Sequence, residues 1–131
     1  MKETLPKSVQ ELILSLREKL KDEPEIVDMF ERCYSNTLDT TVKKMEDGST
    51  YVITGDIPAM WLRDSVAQLR PYLVPAQNDP ELADLIAGLI RRQFMCINID
   101  PYAKRIQRRT ERQLLGEGRD RYGTVDLGEK V

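Results

Sequence analysis

From Tyr51 to Ser65 the chain reads "YVITGDIPAMWLRDS", which sets Asp56, Arg63, Asp64 and Ser65 around Trp61, the only tryptophan in the sequence. A packed core has no use for two carboxylates, a guanidinium and a hydroxyl in such company. The helical pattern from Ala59 to about Leu73 places Trp61, Asp64, Ser65 and Gln68 at i, i+3, i+4 and i+7, on one face. Leu62, Val66, Leu69 and Leu73 fall on another face and are expected to pack inward. Asp56 precedes the helix, where exposed backbone N–H groups also point outward. Arg63 adds a planar group with five donors.

This inventory suits a sugar. The apolar C–H face of a hexose stacks on an indole, and its hydroxyls take bidentate partners such as Asp and Arg. Each residue taken singly has a plainer use: Asp56 can cap the helix, Arg63 and Asp64 can be a solvated pair, and Trp61 can be core.

Composition narrows the chemistry. With no histidine, Ser-His-Asp and Cys-His catalysis and the usual zinc sites are excluded. What remains is carboxylates, hydroxyls, arginines and tyrosines, with no metal or cofactor expected. Cys33 and Cys96 are expected to be two buried, reduced thiols. No run approaches the roughly 18 apolar residues of a membrane span. The start, "MKETLPKSVQELILSLREK", lacks a signal-peptide pattern. The expected setting is cytoplasmic, with no membrane partner.

The elements that must position the cluster are mostly helical. Val9, Leu12, Ile13, Leu16 and Leu20 form one apolar stripe, with Pro6 near its start. Ile26, Phe30, Cys33, Thr37 and Leu38 form a second, which "EDGS" (46–49) is expected to stop. "TYVIT" (50–54) reads as a short extended segment, and Gly55-Asp56 turns the chain. Asp79 as N-cap and Pro80 at the first helical position start a last helix. Leu82, Leu85, Ile86, Leu89, Ile90 and Ile97 stripe it, and Asp100-Pro101 ends it. The pattern predicts two antiparallel helical pairs with an extended excursion between them, either a small bundle or the opening of a larger toroid.

The stretch "YVITGDIPAMWLRDSVAQLRPYL" (51–73) resembles the signature of glycoside hydrolase family 125, exo-acting α-1,6-mannosidases known as metal-independent. The resemblance takes in the preceding helices and "LIRRQFMCINIDPYA" (89–103), so it spans most of residues 1–103. Val66 and Leu69 depart from the smaller or branched residues usual there. What the resemblance implies is an all-α fold, the N-terminal hairpins of an (α/α)6 toroid with one short extended segment near 50–54. It further implies a mannose-containing oligosaccharide as ligand and removal of terminal α-1,6-linked mannose with inversion. Inversion needs two carboxyls about 6.5–9.5 Å apart. In the family these lie beyond the matched region, so no catalytic residue is expected in this chain. Asp56, Trp61, Arg63, Asp64 and Gln68, with Ser65 beside them, are assigned to substrate binding. An opened toroid is expected to leave Leu82, Leu85, Ile86 and Leu89 without partners and the chain poorly soluble.

The resemblance stops after Ala103. The tail from Lys104 carries eight of the twenty Lys and Arg residues but five of the twenty-two acids. One nucleotide reconciles the two parts. If residues 103–109 are encoded GCA AAA CGC ATT CAA CGA AGA, removing one A after GCA yields the family-like "NAFNE", and permitted codons carry a family-like string on to the end. Residues 104–131 are therefore expected to be a frameshifted, non-native tail. Two other readings stand beside this one. One is a small non-catalytic carbohydrate-binding helical domain. The other is a nucleic-acid binder using Arg105, Arg108, Arg109 and Arg112, although no helix-turn-helix, zinc ligands or aromatic-studded sheet accompanies them.

Overall fold

The computed structural model describes residues 5–56, 59–102, 105–107 and 124–126. Its elements run α1 (Lys7–Lys19), α2 (Pro24–Asn36), a π-turn (Thr37–Thr41), β1 (Val42–Lys44), β2 (Thr50–Val52), β3 (Ala59–Trp61) and α3 (Leu62–Leu69). A 3-10 turn (Arg70–Tyr72), α4 (Leu73–Ala76), α5 (Pro80–Ile99), β4 (Arg105–Gln107) and β5 (Thr124–Asp126) complete them. The chain is mostly helical with short strands, as its periodicity indicates.

The long last helix starts where local chemistry dictates. The Asp79 side chain accepts the Leu82 N–H at 3.0 Å, and Pro80 takes the first turn, where its missing N–H costs nothing. The Ser8 hydroxyl donates to the other Asp79 carboxylate oxygen at 2.7 Å, tying the start of α1 to the start of α5. Asp100 caps the far end.

The second helix departs from expectation. It ends at Asn36, and "EDGS" closes a β-hairpin instead of stopping a helix. Thr40 and Thr41 donate to the carbonyls of Asn36 and Thr37 at 2.7 and 2.6 Å, a back-bonding that loosens helical turns. The chain widens into the π-turn and then extends. β1 and β2 pair antiparallel, Val42 opposite Val52. Gly48 at φ +76° makes the turn between them, where a left-handed backbone favours glycine. The apolar stripe of α2 is also rotated. Val27 and Tyr34 are buried, whereas Ile26 and Cys33 are exposed. Aromatic packing explains this: Tyr34 stacks on Phe30 at 4.7 Å and meets Tyr72 at 4.4 Å between ring centres. Neither Cys33 nor Cys96 is in a disulfide, and Cys96 alone is buried.

The core joins Val9 and Ile13 of α1 to Tyr51, Val52, Leu69 and Leu82. Helix α5 lies so close on β2 that a Cβ built on Gly88 would come 2.5 Å from Thr50 Oγ1 and 3.0 Å from the Thr50 nitrogen. Arg92, wholly buried in the same seam, donates to Ser49 Oγ at 2.9 Å and stands 5.5 Å from the Tyr51 ring centre. Contrary to expectation, Leu82, Ile86 and Leu89 are buried and Leu85 is half-buried. The exposed large apolar residues of α5 are Ile90, Phe94, Met95, Ile97 and Ile99. Val66 and Leu73, expected inside, are 48% and 52% exposed.

Three short strands form a second sheet in the order β3-β4-β5. β4 runs antiparallel to β3, with Trp61 opposite Arg105, and parallel to β5. Two backbone stretches expected in a non-native tail thus pair into the sheet beside Trp61. Apart from these, residues 104–131 lie outside the described residues, and so does the proposed arginine arm at Arg108, Arg109 and Arg112.

Candidate functional site

Trp61 belongs to a strand rather than a helix. It is the last residue of β3 and the N-cap of α3, at φ −79° and ψ 129°. The reason lies outside the local pattern, because β3 exists only by pairing with β4 far along the chain. The backbone of Trp61 is fixed by Thr54, a residue the sequence reading passed over. Thr54 is buried, and its hydroxyl accepts the Trp61 N–H at 2.8 Å while donating to the Ala59 carbonyl at 3.1 Å. The Thr54 N–H reaches the same carbonyl at 2.9 Å. A small closed loop results, with Gly55 at φ +84° inside it. A threonine directly before a Gly-Asp turn was the available signal, since its hydroxyl can bond nearby backbone.

Thr54, Gly55, Trp61, Arg63, Asp64 and Gln68 line an open cleft of about 310 Å³. Four of the six residues assigned to sugar contact therefore meet. Arg63 Nη2 lies 3.3 Å from Asp64 Oδ2, with the arginine largely in solvent. The pair is a solvated one whose outer edges remain available, and such pairs contribute little to stability. The Gln68 amide oxygen is buried with no hydrogen-bond partner among the described residues, an unpaired acceptor at the edge of the cleft.

Asp56 and Ser65 sit elsewhere. Asp56 is exposed and outside the cleft lining, and it does not cap α3, which has no side-chain cap. Ser65 is 0% exposed. Its hydroxyl donates to the Leu62 carbonyl at 2.8 Å and accepts from Gln93 Nε2 at 3.0 Å. Gln93 also donates to the Leu62 carbonyl at 3.0 Å, so Ser65 joins α3 to α5 in the core. Its i+4 spacing from Trp61 does not put the two on one face, because the helix begins only at Leu62.

Chemically, the cleft offers an aromatic surface, two acceptor groups and a guanidinium edge. That set is chemically suited to a polyhydroxylated ligand. Among the described residues no group of cysteines and carboxylates is placed to hold a metal ion. No helix there is long and apolar enough to cross a membrane.

Comparison with known proteins agrees with this chemistry. The family model described as metal-independent alpha-mannosidase (GH125) matches residues 23–126, running past Ala103. A curated relative, the meiotically up-regulated gene 157 protein of Schizosaccharomyces pombe, is 45% identical over 105 residues, covering 77% of this chain and 20% of that protein. A solved metal-independent alpha mannosidase of Streptococcus pneumoniae, in a non-productive complex with alpha-1,6-mannobiose, is 56% identical. It superposes with a TM-score of 0.74 over 77% of this chain and 24% of its own. The chain thus spans about a quarter or less of the length of these relatives.

Proposed function

The chain belongs to the metal-independent α-mannosidases of glycoside hydrolase family 125, and from that premise we propose that the Trp61 cleft grips a terminal α-1,6-linked mannose. The observation that carries this reading is the convergence of Trp61, Arg63, Asp64 and Gln68 on one cleft. In it the indole stacks on the apolar sugar face, while Asp64 and Gln68 accept hydroxyl protons and Arg63 donates. The solved relative's complex with alpha-1,6-mannobiose supports the choice of sugar and linkage.

In this reading the whole enzyme removes the non-reducing mannose of an oligosaccharide with inversion. One carboxyl protonates the leaving oxygen, and a second activates water on the opposite sugar face. Asp56 and Asp64 are not that pair. The acid and base come from parts of the family beyond this chain, which binds mannose but does not hydrolyse it. Titration with α-1,6-mannobiose, read by calorimetry, tests the reading. Saturable binding that is lost in Trp61→Ala supports it; a folded protein that never responds, or a variant that binds equally well, removes it.

We also propose that a one-base insertion after Ala103 shifted the frame of residues 104–131. The charge break at Lys104 supports this. The family match to residue 126 and the pairing of β4 with β3 stand on the other side, and the coding DNA is the place to test it.

A further inference from the structure

Trp61 is held from two directions. Thr54 fixes its backbone, and β4 lies alongside with Arg105 directly opposite in the antiparallel register. Residues facing each other across such a pair project from the same side of the sheet. Here the projection brings the Arg105 guanidinium over the indole, 5.4 Å from the ring centre, within the range of a cation–π contact. Arg105 is half-buried and does not line the cleft, whereas Trp61 does. The guanidinium is thus a partner of the ring from outside the cleft lining.

We propose that Arg105 is a positioning residue, which clamps one face of the Trp61 indole so that the other stands ready for the sugar. The proposal rests on the reading of the cleft as a mannose site. An indole free to rotate loses side-chain freedom when a ligand stacks on it, and that loss weakens binding. A ring already seated on a guanidinium has lost it beforehand. The planar, weakly hydrated guanidinium suits this role better than an ammonium, which pairs with the ring as a point charge.

The experiment compares the full chain with Arg105→Ala and Arg105→Lys. Two quantities are read: acrylamide quenching of Trp61 without sugar, and α-1,6-mannobiose affinity. The expected result is stronger quenching in Arg105→Ala and an affinity about two- to fivefold weaker, with Arg105→Lys recovering part of both. Should Arg105→Ala lose its helical circular dichroism, Arg105→Gln is read in its place. Affinity that is unchanged or tighter on removing the guanidinium overturns the proposal, the tighter case making Arg105 a competitor for the ring. If the unaltered chain binds no mannobiose, the mannose reading fails, and quenching alone judges the clamp. Quenching that rises on removal upholds it, and quenching that stays level ends it.

Discussion

The Thr54 hydroxyl accepts the Trp61 N–H at 2.8 Å and donates to the Ala59 carbonyl at 3.1 Å, so one buried oxygen bridges both ends of β3. The aromatic plate of the cleft owes its place to this small side chain. Thr54→Val keeps the shape and removes both bonds. It should lower stability by about 1–2 kcal/mol and weaken mannobiose binding while leaving helix content intact. Thermal denaturation and Trp61 emission would show both effects. An unchanged melting temperature would mean that β3 does not depend on the Thr54 hydroxyl.

Removing the plate itself should act on binding more than on folding. Trp61 is only half-buried, and its backbone bond to Thr54 survives truncation. Trp61→Ala should therefore weaken mannobiose about tenfold or more, as read by calorimetry. The circular dichroism spectrum should stay that of the parent.

How much of this was legible from sequence follows from how local each signal is. The start of α5 was readable because Asp79 and Pro80 act within one turn of helix. The convergence of Trp61, Arg63, Asp64 and Gln68 was readable because they are neighbours in sequence. Periodicity nevertheless puts Trp61 in a helix, since the strand that claims it pairs with a segment more than forty positions later. Ser65 leaves the cleft for the same reason, its partner being Gln93. Val66 and Leu73 look like core in any periodic reading, because periodicity finds an apolar face without saying whether anything covers it.

The Asp79 cap makes a prediction with a pH sign. Its carboxyl is held below the ordinary carboxylate range, first by the Leu82 N–H and then by the Ser8 hydroxyl. A depressed folded-state pKa adds stability above the unfolded value near 4, and that stability is lost as pH falls through the folded value. Asp79→Ala should cost about 1 kcal/mol at neutral pH. Asp79→Asn should keep most of the capping energy and flatten the acid limb. Melting curves at several acidic pH values separate the two.

Alkali should act through Tyr34. Burial, and secondarily the neighbouring Tyr72, push its phenol up to about 12. A raised folded-state value contributes stability that is whole below the unfolded pKa near 10 and disappears as pH rises through 12. An ultraviolet titration of the five tyrosines should show a late-ionising group that disappears in Tyr34→Phe. If every tyrosine titrates near 10, the Phe30–Tyr34–Tyr72 cluster is wet.

The proposed frame shift predicts an A-rich run directly after codon 103 and an alternative frame that continues as family sequence. Reading the coding DNA past the stop decides it. A clean frame would make Arg105 and its strand an authentic part of the molecule, while a shifted one would make the clamp on Trp61 an accident of translation.

The contact between α5 and β2 has a hereditary consequence. Every missense change in the Gly88 codon supplies a Cβ, and that atom meets Thr50 Oγ1 at 2.5 Å whatever side chain follows. The hydroxyl cannot turn aside freely, because it donates to the Leu85 carbonyl at 2.7 Å, and the same Cβ would also stand 3.0 Å from the Thr50 nitrogen and 3.1 Å from the Gly48 carbonyl. Drift at this codon is confined to synonymous changes unless Thr50 changes with it. The helix and the hairpin are thus bound to evolve as a pair.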